Sequence, residues 1–142
     1  MGSVSDILGA KGHEVLRIDG SATVLDAVKA MVEGNVGALI VTEGGEISGI
    51  VTERDYLRRV TLEGRDERTT PVREITSSPF VYVGPEATID ECMAIMTERR
   101  FRHLPVVEDG KLLGLVSIGD LVKVKLSEAA EEAQAMRAYI AS

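Results

Sequence analysis

The chain has 142 residues, of which 44% are hydrophobic and 27% are charged, a composition typical of one globular domain. This composition excludes a disordered acidic tail, a collagen-like chain and a disulfide scaffold, since the single cysteine, Cys92, has no partner for an internal bridge. The formal net charge of −7 argues against broad attraction to nucleic acid or to an anionic membrane. No apolar run approaches the ~20 residues of a membrane span, and the N-terminus shows no basic segment followed by an apolar one. We therefore expect a cytoplasmic protein that binds neither nucleic acid nor membrane.

The first half of the chain predicts a strand, a helix, two more strands and a second helix. A short strand is indicated by Val15, Leu16 and Ile18, and Thr23 is a suitable N-cap because its hydroxyl can accept from an unpaired backbone N–H. Residues 38–41 form an apolar run suited to a buried strand. The second helix is expected from about Glu53. The apolar positions of the first helix recur at helical spacing, at Val24, Ala27, Val28 and Met31.

The second half predicts the same order of elements. Its N-cap is Thr88, its buried strand lies at 104–107, and its last helix begins at about Ile118. The first strand of this half is indicated by Phe80, Val81 and Val83, and the first helix by Ile89, Cys92, Met93 and Met96. In both halves a two-residue turn that tolerates positive φ joins the last two strands: Gly44-Gly45 in the first half and Asp109-Gly110 in the second. The final strand of each half also contains a glycine that lets a neighbouring element approach closely, Gly49 in the first half and Gly114 in the second.

A shift of 65 positions superimposes the two halves without a gap. Residues 22–57 fall on residues 87–122, and eleven of these 36 positions are identical. The unit of strand, helix, strand, strand and helix buries too little surface to fold stably alone, so we predict that two copies share a core. The predicted fold is α/β (α+β), a tandem repeat packed sheet to sheet as one pseudo-two-fold module. Its parts are residues 1–62, a linker at 63–75, and residues 76–142.

Three motifs within this repeat resemble those of the CBS-domain family. Two end a strand of the form Gly-hydrophobic-Val: Thr52-Glu53-Arg54-Asp55 and Ser117-Ile118-Gly119-Asp120. The third is Arg102-His103-Leu104-Pro105-Val106-Val107. The stretch from Val51 to Tyr56, followed by Pro71-Val72-Arg73-Glu74-Ile75, is similar to stand-alone CBS-pair proteins of bacteria and plant organelles. The resemblance extends from about Val15 to Leu126.

The resemblance implies a regulatory module that binds an adenosine-containing ligand and forms a homodimer. The implied regulatory ligands are AMP, ADP and ATP, with NAD or S-adenosylmethionine in some members, and no other cofactor is required. It also implies that each site is built across the two repeats. One site would combine Thr52, Asp55, Thr76, Val81, Arg102, His103 and Pro105, and the other would combine Ser117, Asp120, Lys11, Leu16, Gly37 and Ala38.

The chemistry of these residue types suits such a ligand. A ribose offers two adjacent hydroxyl donors, and an ionised aspartate at a helix start can accept both. The adenine ring needs an apolar slot, for which Val36-Gly37-Ala38 and Phe101-Arg102-His103 are suitable edges. Local basic groups must hold a phosphate against the net negative charge, and the candidates are Arg99, Arg100, Arg102 and His103 in one cluster and Arg54, Arg58 and Arg59 in another. Because Gly37 and Ala38 stand where the second repeat has Arg102 and His103, we predict two unequal sites, with the stronger at Asp55.

Structural alternatives accompany each of these roles. A carboxylate at a helix N-terminus is favoured by the helix dipole, which is the structural alternative for Asp55 and Asp120. Positive charge is likewise favoured at a helix C-terminus, which is the alternative for the basic cluster Arg99–His103. The ribose role requires that both aspartates face a cavity and are not consumed by internal ion pairs. Cys92 is expected in the core, no metal site is indicated, and no nucleophile elbow or phosphate-binding glycine loop predicts an enzyme.

The last helix carries an apolar seam that meets either its own sheet or, as the resemblance favours, a second subunit. The seam consists of Val122, Leu126, Ala129, Ala133, Met136 and Ile140. With no catalytic domain attached, a regulatory signal would pass in trans to another protein of unknown identity. The alternative function is an interaction module that binds no ligand.

Overall fold

The computed structural model describes residues 2–77 and 80–141. They form two compact units, which we name by their candidate aspartates. The Asp55 unit comprises the described residues of Glu14–Val81, and the Asp120 unit comprises those of Met1–His13 and Tyr82–Ser142. In chain order the helices and strands are α1 Val4–Lys11, β1 Arg17–Asp19, α2 Val24–Gly34, β2 Ala38–Glu43, β3 Glu46–Thr52, α3 Glu53–Tyr56, α4 Ile89–Arg99, β4 His103–Glu108, β5 Lys111–Ser117 and α5 Ile118–Ala141.

The Asp55 unit is a three-stranded sheet with helices packed on it, as predicted. β2 pairs with β1 in parallel and with β3 antiparallel. The predicted cap of α2 is confirmed, because the Thr23 side chain accepts from the Asp26 amide in a capping box. A π-helical segment, Leu57–Thr61, follows α3, and a 3-10 turn, Val72–Glu74, follows later in the chain. The buried cluster contains Val24, Ala27, Met31, Leu39, Val41, Val51, Val60, Val72 and Ile75.

The two hairpin turns are confirmed by their backbone angles. Gly44 and Gly45 have φ of 62° and 85°, and Asp109 and Gly110 have φ of 51° and 76°. Consecutive positive φ values are what a tight two-residue hairpin requires. The turns therefore fix the registers of β2 with β3 and of β4 with β5.

The first strand predicted for the second half is wrong in extent. Among Phe80–Val83 only Val83 joins a ladder, through one parallel bridge to Val106. The cause is Pro105, which has no N–H to donate to the carbonyl of Val81. At the matching position of the first repeat, Ile40 donates its N–H to the carbonyl of Leu16 at 3.0 Å. One proline thus limits the Asp120 unit to a two-stranded sheet, β4 with β5.

The N-terminal helix α1 packs in the Asp120 unit, and the sequence analysis did not predict it. Ser3 and Asp6 form its capping box, and the Val4 amide donates to the carbonyl of Ala87 at 2.9 Å. The predicted close approach at Gly114 is confirmed, because a Cβ there would lie 2.6 Å from Cδ2 of Leu8. Because Gly114 has no side chain, α1 can pack closely against β5.

The apolar seam of α5 does not pack on the described part of the chain. Leu121 is fully buried, whereas Val122, Leu126, Met136 and Ile140 have exposed fractions of 41%, 66%, 60% and 75%. The alternative in which the seam meets its own sheet is therefore wrong.

Candidate functional site

Both candidate aspartates occupy the same position in a strand-to-helix turn. Asp55 Oδ2 accepts from the amide of Thr52 at 2.9 Å and from its hydroxyl at 3.0 Å. Asp120 Oδ2 accepts from the amide of Ser117 at 2.9 Å. In return, the Asp55 and Asp120 amides donate to Thr52 Oγ1 and Ser117 Oγ at 3.3 Å and 3.2 Å. These carboxylates therefore have the helix-capping role that the structural alternative gave them, and one oxygen of each is fixed by its own helix start.

The second oxygen of Asp55 faces the segment that ends the Asp55 unit. Ser77 Oγ donates to Asp55 Oδ1 at 3.4 Å, which is a long hydrogen bond. Ser77 is held there by two backbone bonds with Ile50, of 3.0 Å and 3.4 Å. Asp55 and Ser77 are both half-buried. Because this hydrogen bond is long and therefore weak, a ligand hydroxyl that replaces Ser77 at Oδ1 displaces only a weak interaction.

Gly49 allows this segment to approach. A Cβ at Gly49 would lie 2.5 Å from the Ser77 carbonyl oxygen and 2.5 Å from Cγ2 of Thr76, which confirms the predicted close approach. The predicted site residue Thr76 thus lies against β3 at Gly49, next in the chain to Ser77, and its hydroxyl donates to the Val72 carbonyl at 2.7 Å. Ser77 is the residue that the sequence analysis missed, and its only signal was its position next to Thr76.

The start of β2 adjoins the same turn. The amide of Glu53 donates to the carbonyl of Gly37 at 3.1 Å, and Ala38 pairs with Thr52. Leu16 lies in the same unit and is 45% exposed. The structure therefore brings Gly37 and Ala38 to the Thr52 turn and places Leu16 in the same unit, and the predicted association of these three residues with Asp120 stays a prediction.

A mainly apolar cavity of about 560 Å³ lies between α2 and α3. Val36 and Gly37, the predicted adenine edges, line it. Its other lining residues are Val28, Met31, Val32, Asn35, Glu53, Tyr56 and Leu57. Asp55 is not among them, so this cavity does not meet the requirement that the candidate aspartate face a cavity. The cavity and the Asp55 carboxylate are therefore two separate features of one unit.

In the Asp120 unit, Lys11 and Asp120, which the resemblance assigned to one ligand site, form an ion pair with each other. Lys11 Nζ lies 2.6 Å from Asp120 Oδ2 and donates to the Leu115 carbonyl at 2.9 Å. Burial of the Asp120 carboxylate opposes its ionisation, but hydrogen bonds from Lys11 and Ser117 outweigh this effect and lower the pKa of Asp120 below its ordinary value. Asp120 Oδ2 is thus consumed by an internal ion pair, which is the condition that argues against a ribose role. Asp55 is the better candidate.

The basic motif at the start of β4 adjoins Ser117. The Ile118 amide donates to the Arg102 carbonyl at 2.8 Å, His103 pairs with Ser117, and Pro105 pairs with Leu115. Arg99 ends α4, and Arg100 follows it with φ of 59°. The predicted association of Arg102, His103 and Pro105 with Asp55 stays a prediction.

Arg54 in α3 and Arg58 in the π-helical segment are exposed, and Val81 is half-buried at the end of the Asp55 unit.

Cys92 lies in the core, as predicted. Its side chain is fully buried in α4, and burial raises the pKa of its thiol. Within residues 2–77 and 80–141, no group of three or more His, Cys, Asp or Glu side chains is arranged to hold a metal ion. No helix in this described part is both long and apolar enough for a transmembrane span.

Comparison with known proteins identifies the family. The model of the CBS domain matches twice, at residues 4–61 and 72–127, so the chain belongs to the CBS-domain family. The mitochondrial CBS domain-containing protein CBSX3 of Arabidopsis thaliana is 41% identical over 97% of this chain and 71% of its own length. YhcV of Bacillus subtilis, also a CBS domain-containing protein, is 34% identical over 89% of this chain and 88% of its own.

A solved structure shares the fold. The putative signal-transduction protein with CBS domains from Burkholderia ambifaria has a TM-score of 0.86 and 48% identity, covering 88% of this chain and 94% of its own. The predicted family and mixed α/β repeat fold are confirmed. The cytoplasmic location stays a prediction, since CBSX3 is named as mitochondrial.

Proposed function

We propose that this chain is a regulatory module that binds an adenosine-containing ligand, with Asp55 accepting the ribose hydroxyls. The proposal rests on the observation that the two carboxylate oxygens of Asp55 have different partners. Oδ2 is fixed by Thr52, while Oδ1 accepts a long hydrogen bond of 3.4 Å from Ser77. A carboxylate held in place by its helix start can accept a ribose hydroxyl on Oδ1 without losing the bonds that orient it.

The neighbouring groups suit the remainder of such a ligand. Arg54 and Arg58 follow Thr52 on the same helical stretch and are exposed, so they can approach a phosphate. Ser77 adds a hydroxyl group at Oδ1 of Asp55. AMP, ADP, ATP, NAD and S-adenosylmethionine all contain the adenosine part that these groups address.

The regulatory output is proposed to pass to a separate protein. A ligand regulates only if it binds two arrangements of the module with different affinity. We propose that the active form is a homodimer and that no step of catalysis occurs on this chain. The solved relative described as a putative signal-transduction protein with CBS domains supports a regulatory role.

A second candidate function, protein contact without a ligand, is favoured by the cavity between α2 and α3. Val32 and Leu57 line it and are 74% and 57% exposed, which is unusual for apolar side chains beside a cavity. This surface would bind an apolar side chain of a partner protein.

Thermal unfolding of the full chain with AMP, ADP, ATP, NAD and S-adenosylmethionine separates the two candidates. A ligand at ~100 times its dissociation constant adds about 2.7 kcal/mol to the free energy of unfolding and raises the melting temperature. A shift with at least one of the five, absent for adenine-free ribose 5-phosphate, supports ligand binding. No shift with any of them at millimolar concentration contradicts it and leaves protein contact.

A further inference from the structure

The helix that contains Asp55 is built differently from its counterpart in the second repeat. α3 ends after four residues and continues as the π-helical segment Leu57–Thr61. The shift of 65 positions places this segment on residues 122–126, which are an uninterrupted part of α5. In the π-helical segment the Leu62 amide donates to the Leu57 carbonyl, five positions back, at 3.2 Å. A π turn contains one residue more than an α-helical turn, and such turns are rare and often lie at functional sites.

Tyr56 connects this helix to the segment that joins the two repeats. Its hydroxyl donates to Oε2 of Glu67 at 2.7 Å, and its ring packs against the buried cluster of its unit. The backbone of Glu67 is itself fixed, because its carbonyl accepts from the Leu25 amide in the first turn of α2 at 2.9 Å. The position that matches Tyr56 in the second repeat is Leu121, which is fully buried and has no polar side-chain group. The Tyr56–Glu67 hydrogen bond is therefore specific to the first repeat.

Arg65 connects the far end of the π-helical segment to the 3-10 turn. Its amide donates to the Val60 carbonyl at 3.1 Å, again five positions back. Its guanidinium donates to Oε1 of Glu74, the last residue of the 3-10 turn, at 2.9 Å. Val60 is buried, so the end of the segment is fixed in the core. The π-helical segment is thus held at its start by Tyr56 and at its end by Arg65.

These contacts close a ring that returns to Asp55. The Thr76 hydroxyl donates to the carbonyl of Val72, the first residue of the 3-10 turn, at 2.7 Å. Ser77 follows in the chain, and its hydroxyl donates to Asp55 Oδ1 at 3.4 Å. The other side-chain hydrogen bonds of the ring are 2.7–2.9 Å long. A group that replaces Ser77 at Oδ1 therefore opens the ring at its weakest contact.

The chain after the π turn can take up a change of helical register. If the extra residue leaves the turn, α-helical bonding returns and the residues on the two sides of the turn rotate by about 100° relative to each other. Leu62 is 81% exposed, and Gly64 has φ of 71° with no atom within 4 Å of an added Cβ. Both can therefore move without disturbing the core. Leu57 lies at the turn and lines the cavity between α2 and α3, so the register sets the shape of that cavity wall.

We propose that the π-helical segment is a two-state element that couples the candidate nucleotide site at Asp55 to the surface formed by α2 and α3. The Tyr56–Glu67 bond favours the π register. A ligand hydroxyl that replaces Ser77 frees the 3-10 turn and, through it, the far end of the segment, and so favours the α register. The cavity wall at Leu57 then differs between the two registers, and a partner protein can recognise that difference. This inference rests on the proposed function, because it takes the ligand hydroxyl as the group that replaces Ser77.

Thermodynamic linkage predicts that variants which weaken the π register bind nucleotide more tightly. Tyr56→Phe and Arg65→Met should each raise the affinity for AMP and ATP by about two- to tenfold in isothermal titration of the full chain. Tyr139→Phe, the same change on an exposed tyrosine of α5, and Arg68→Met, on an exposed arginine near Arg65, are the matched controls and should leave the affinity unchanged. A hydrogen bond with a structural role alone would give no gain in affinity.

Hydrogen–deuterium exchange tests the two registers directly. The Leu62 and Arg65 amides close five-residue bonds that a change of register breaks. Saturating AMP or ATP should therefore speed their exchange, whereas a ligand that only stabilises the fold slows it. Tyr56→Phe should speed the same two amides without nucleotide, and Tyr139→Phe should not.

The possible failures of the two proposals are distinguishable. Nucleotide binding with unchanged or slower exchange of the Leu62 and Arg65 amides would overturn the coupling and leave the proposed function intact. Equal or weaker binding by Tyr56→Phe would do the same. No binding of any adenosine-containing ligand by the wild type would overturn the proposed function and the coupling with it. Exchange in the nucleotide-free Tyr56→Phe variant would then decide separately whether the segment has two registers.

Discussion

Lys11 and Asp120 are 109 positions apart in the chain, yet Nζ of Lys11 lies 2.6 Å from Oδ2 of Asp120. The same ammonium group donates to the Leu115 carbonyl, so it is bound to both the strand and the helix of the second repeat. The C-terminal end of α1 therefore lies at the Asp120 turn. Both aspartates accept on Oδ2 from the amide of their capping residue, but Asp55 Oδ2 has the Thr52 hydroxyl as a further donor where Asp120 Oδ2 has Lys11. This difference makes the two turns chemically unequal.

The Lys11–Asp120 pair predicts a pH-dependent contribution to stability. The pKa of Asp120 is lowered in the folded state, so the stabilisation is present above the ordinary aspartate pKa of about 3.9 and is lost as the pH falls through the lower folded value. Lys11→Met should reduce the free energy of unfolding by up to about 1 kcal/mol at pH 7, since the pair is partly exposed, and by less at pH 3. Urea denaturation at both pH values measures the difference. Lys29→Met, which removes an exposed lysine of α2, should show no such change between the two pH values, and a larger effect of Lys11→Met at pH 3 would contradict the assignment.

Gly49 predicts a steric effect that reaches the candidate site. In Gly49→Ala the new methyl group would meet the Ser77 carbonyl oxygen at 2.5 Å, and backbone must move. We expect a loss of about 1–3 kcal/mol in the free energy of unfolding and weaker nucleotide binding, because Ser77 contacts Asp55. Urea denaturation and nucleotide titration measure the two effects.

The matched control for that variant is Gly9→Ala. Gly9 lies inside α1, and no atom comes within 4 Å of its added Cβ. Alanine should therefore stabilise the chain by about 0.5–1 kcal/mol. If Gly49→Ala is as stable as the wild type, the close contact between β3 and Ser77 does not exist in solution.

Cys92 predicts slow thiol chemistry. Burial raises the pKa of the thiol and excludes reagents from it. A disulfide reagent at pH 8 should react with the native chain far more slowly than with the urea-unfolded chain. Equal rates would show that Cys92 is exposed and that α4 does not pack as described.

The repeat fold was predictable because its signals are local. Turn residues such as Gly44-Gly45 and caps such as Thr23 act within a few positions of the chain, and the 65-residue repeat supplied each signal twice. The loss of the strand at Val81 was not predicted, although Pro105 is visible in the sequence, because its effect depends on which carbonyl its missing N–H would have met. Helix α1 has a Ser3–Asp6 capping box, but its apolar stretch is short and gave no clear periodicity.

The site was predictable only in part. The Thr52–Asp55 and Ser117–Asp120 turns follow from motifs of four residues, and both lie at a strand-to-helix junction as expected. The contact of Ser77 with Asp55 depends on the register of a bridge to Ile50 across β3, and no local pattern specifies that register. The resemblance assigned Lys11 and Asp120 to one ligand site, but their ion pair was not predicted, since a separation of 109 positions leaves no periodic signal.

The inequality of the two turns predicts unequal nucleotide binding. At the Asp120 turn the Lys11 ammonium already pairs with the carboxylate and competes with ligand hydroxyls for its charge, whereas a ligand at the Asp55 turn replaces the long bond from Ser77. Isothermal titration with ATP should therefore give one stronger and one weaker event, or one event alone, and Asp120→Ala should retain the stronger event. Two equal events, or loss of the stronger event in Asp120→Ala, would refute the ranking.

The most direct measurement of the central claim is isothermal titration of AMP and ATP into Asp55→Ala and Asp26→Ala. Both variants remove the carboxylate of a capping box, so both should lose about 1 kcal/mol of stability, but only Asp55 is proposed to bind ribose. Asp55→Ala should weaken the stronger binding event by about tenfold to a hundredfold, equivalent to ~1–3 kcal/mol, and Asp26→Ala should leave it unchanged. Equal affinity of Asp55→Ala and the wild type would contradict the account.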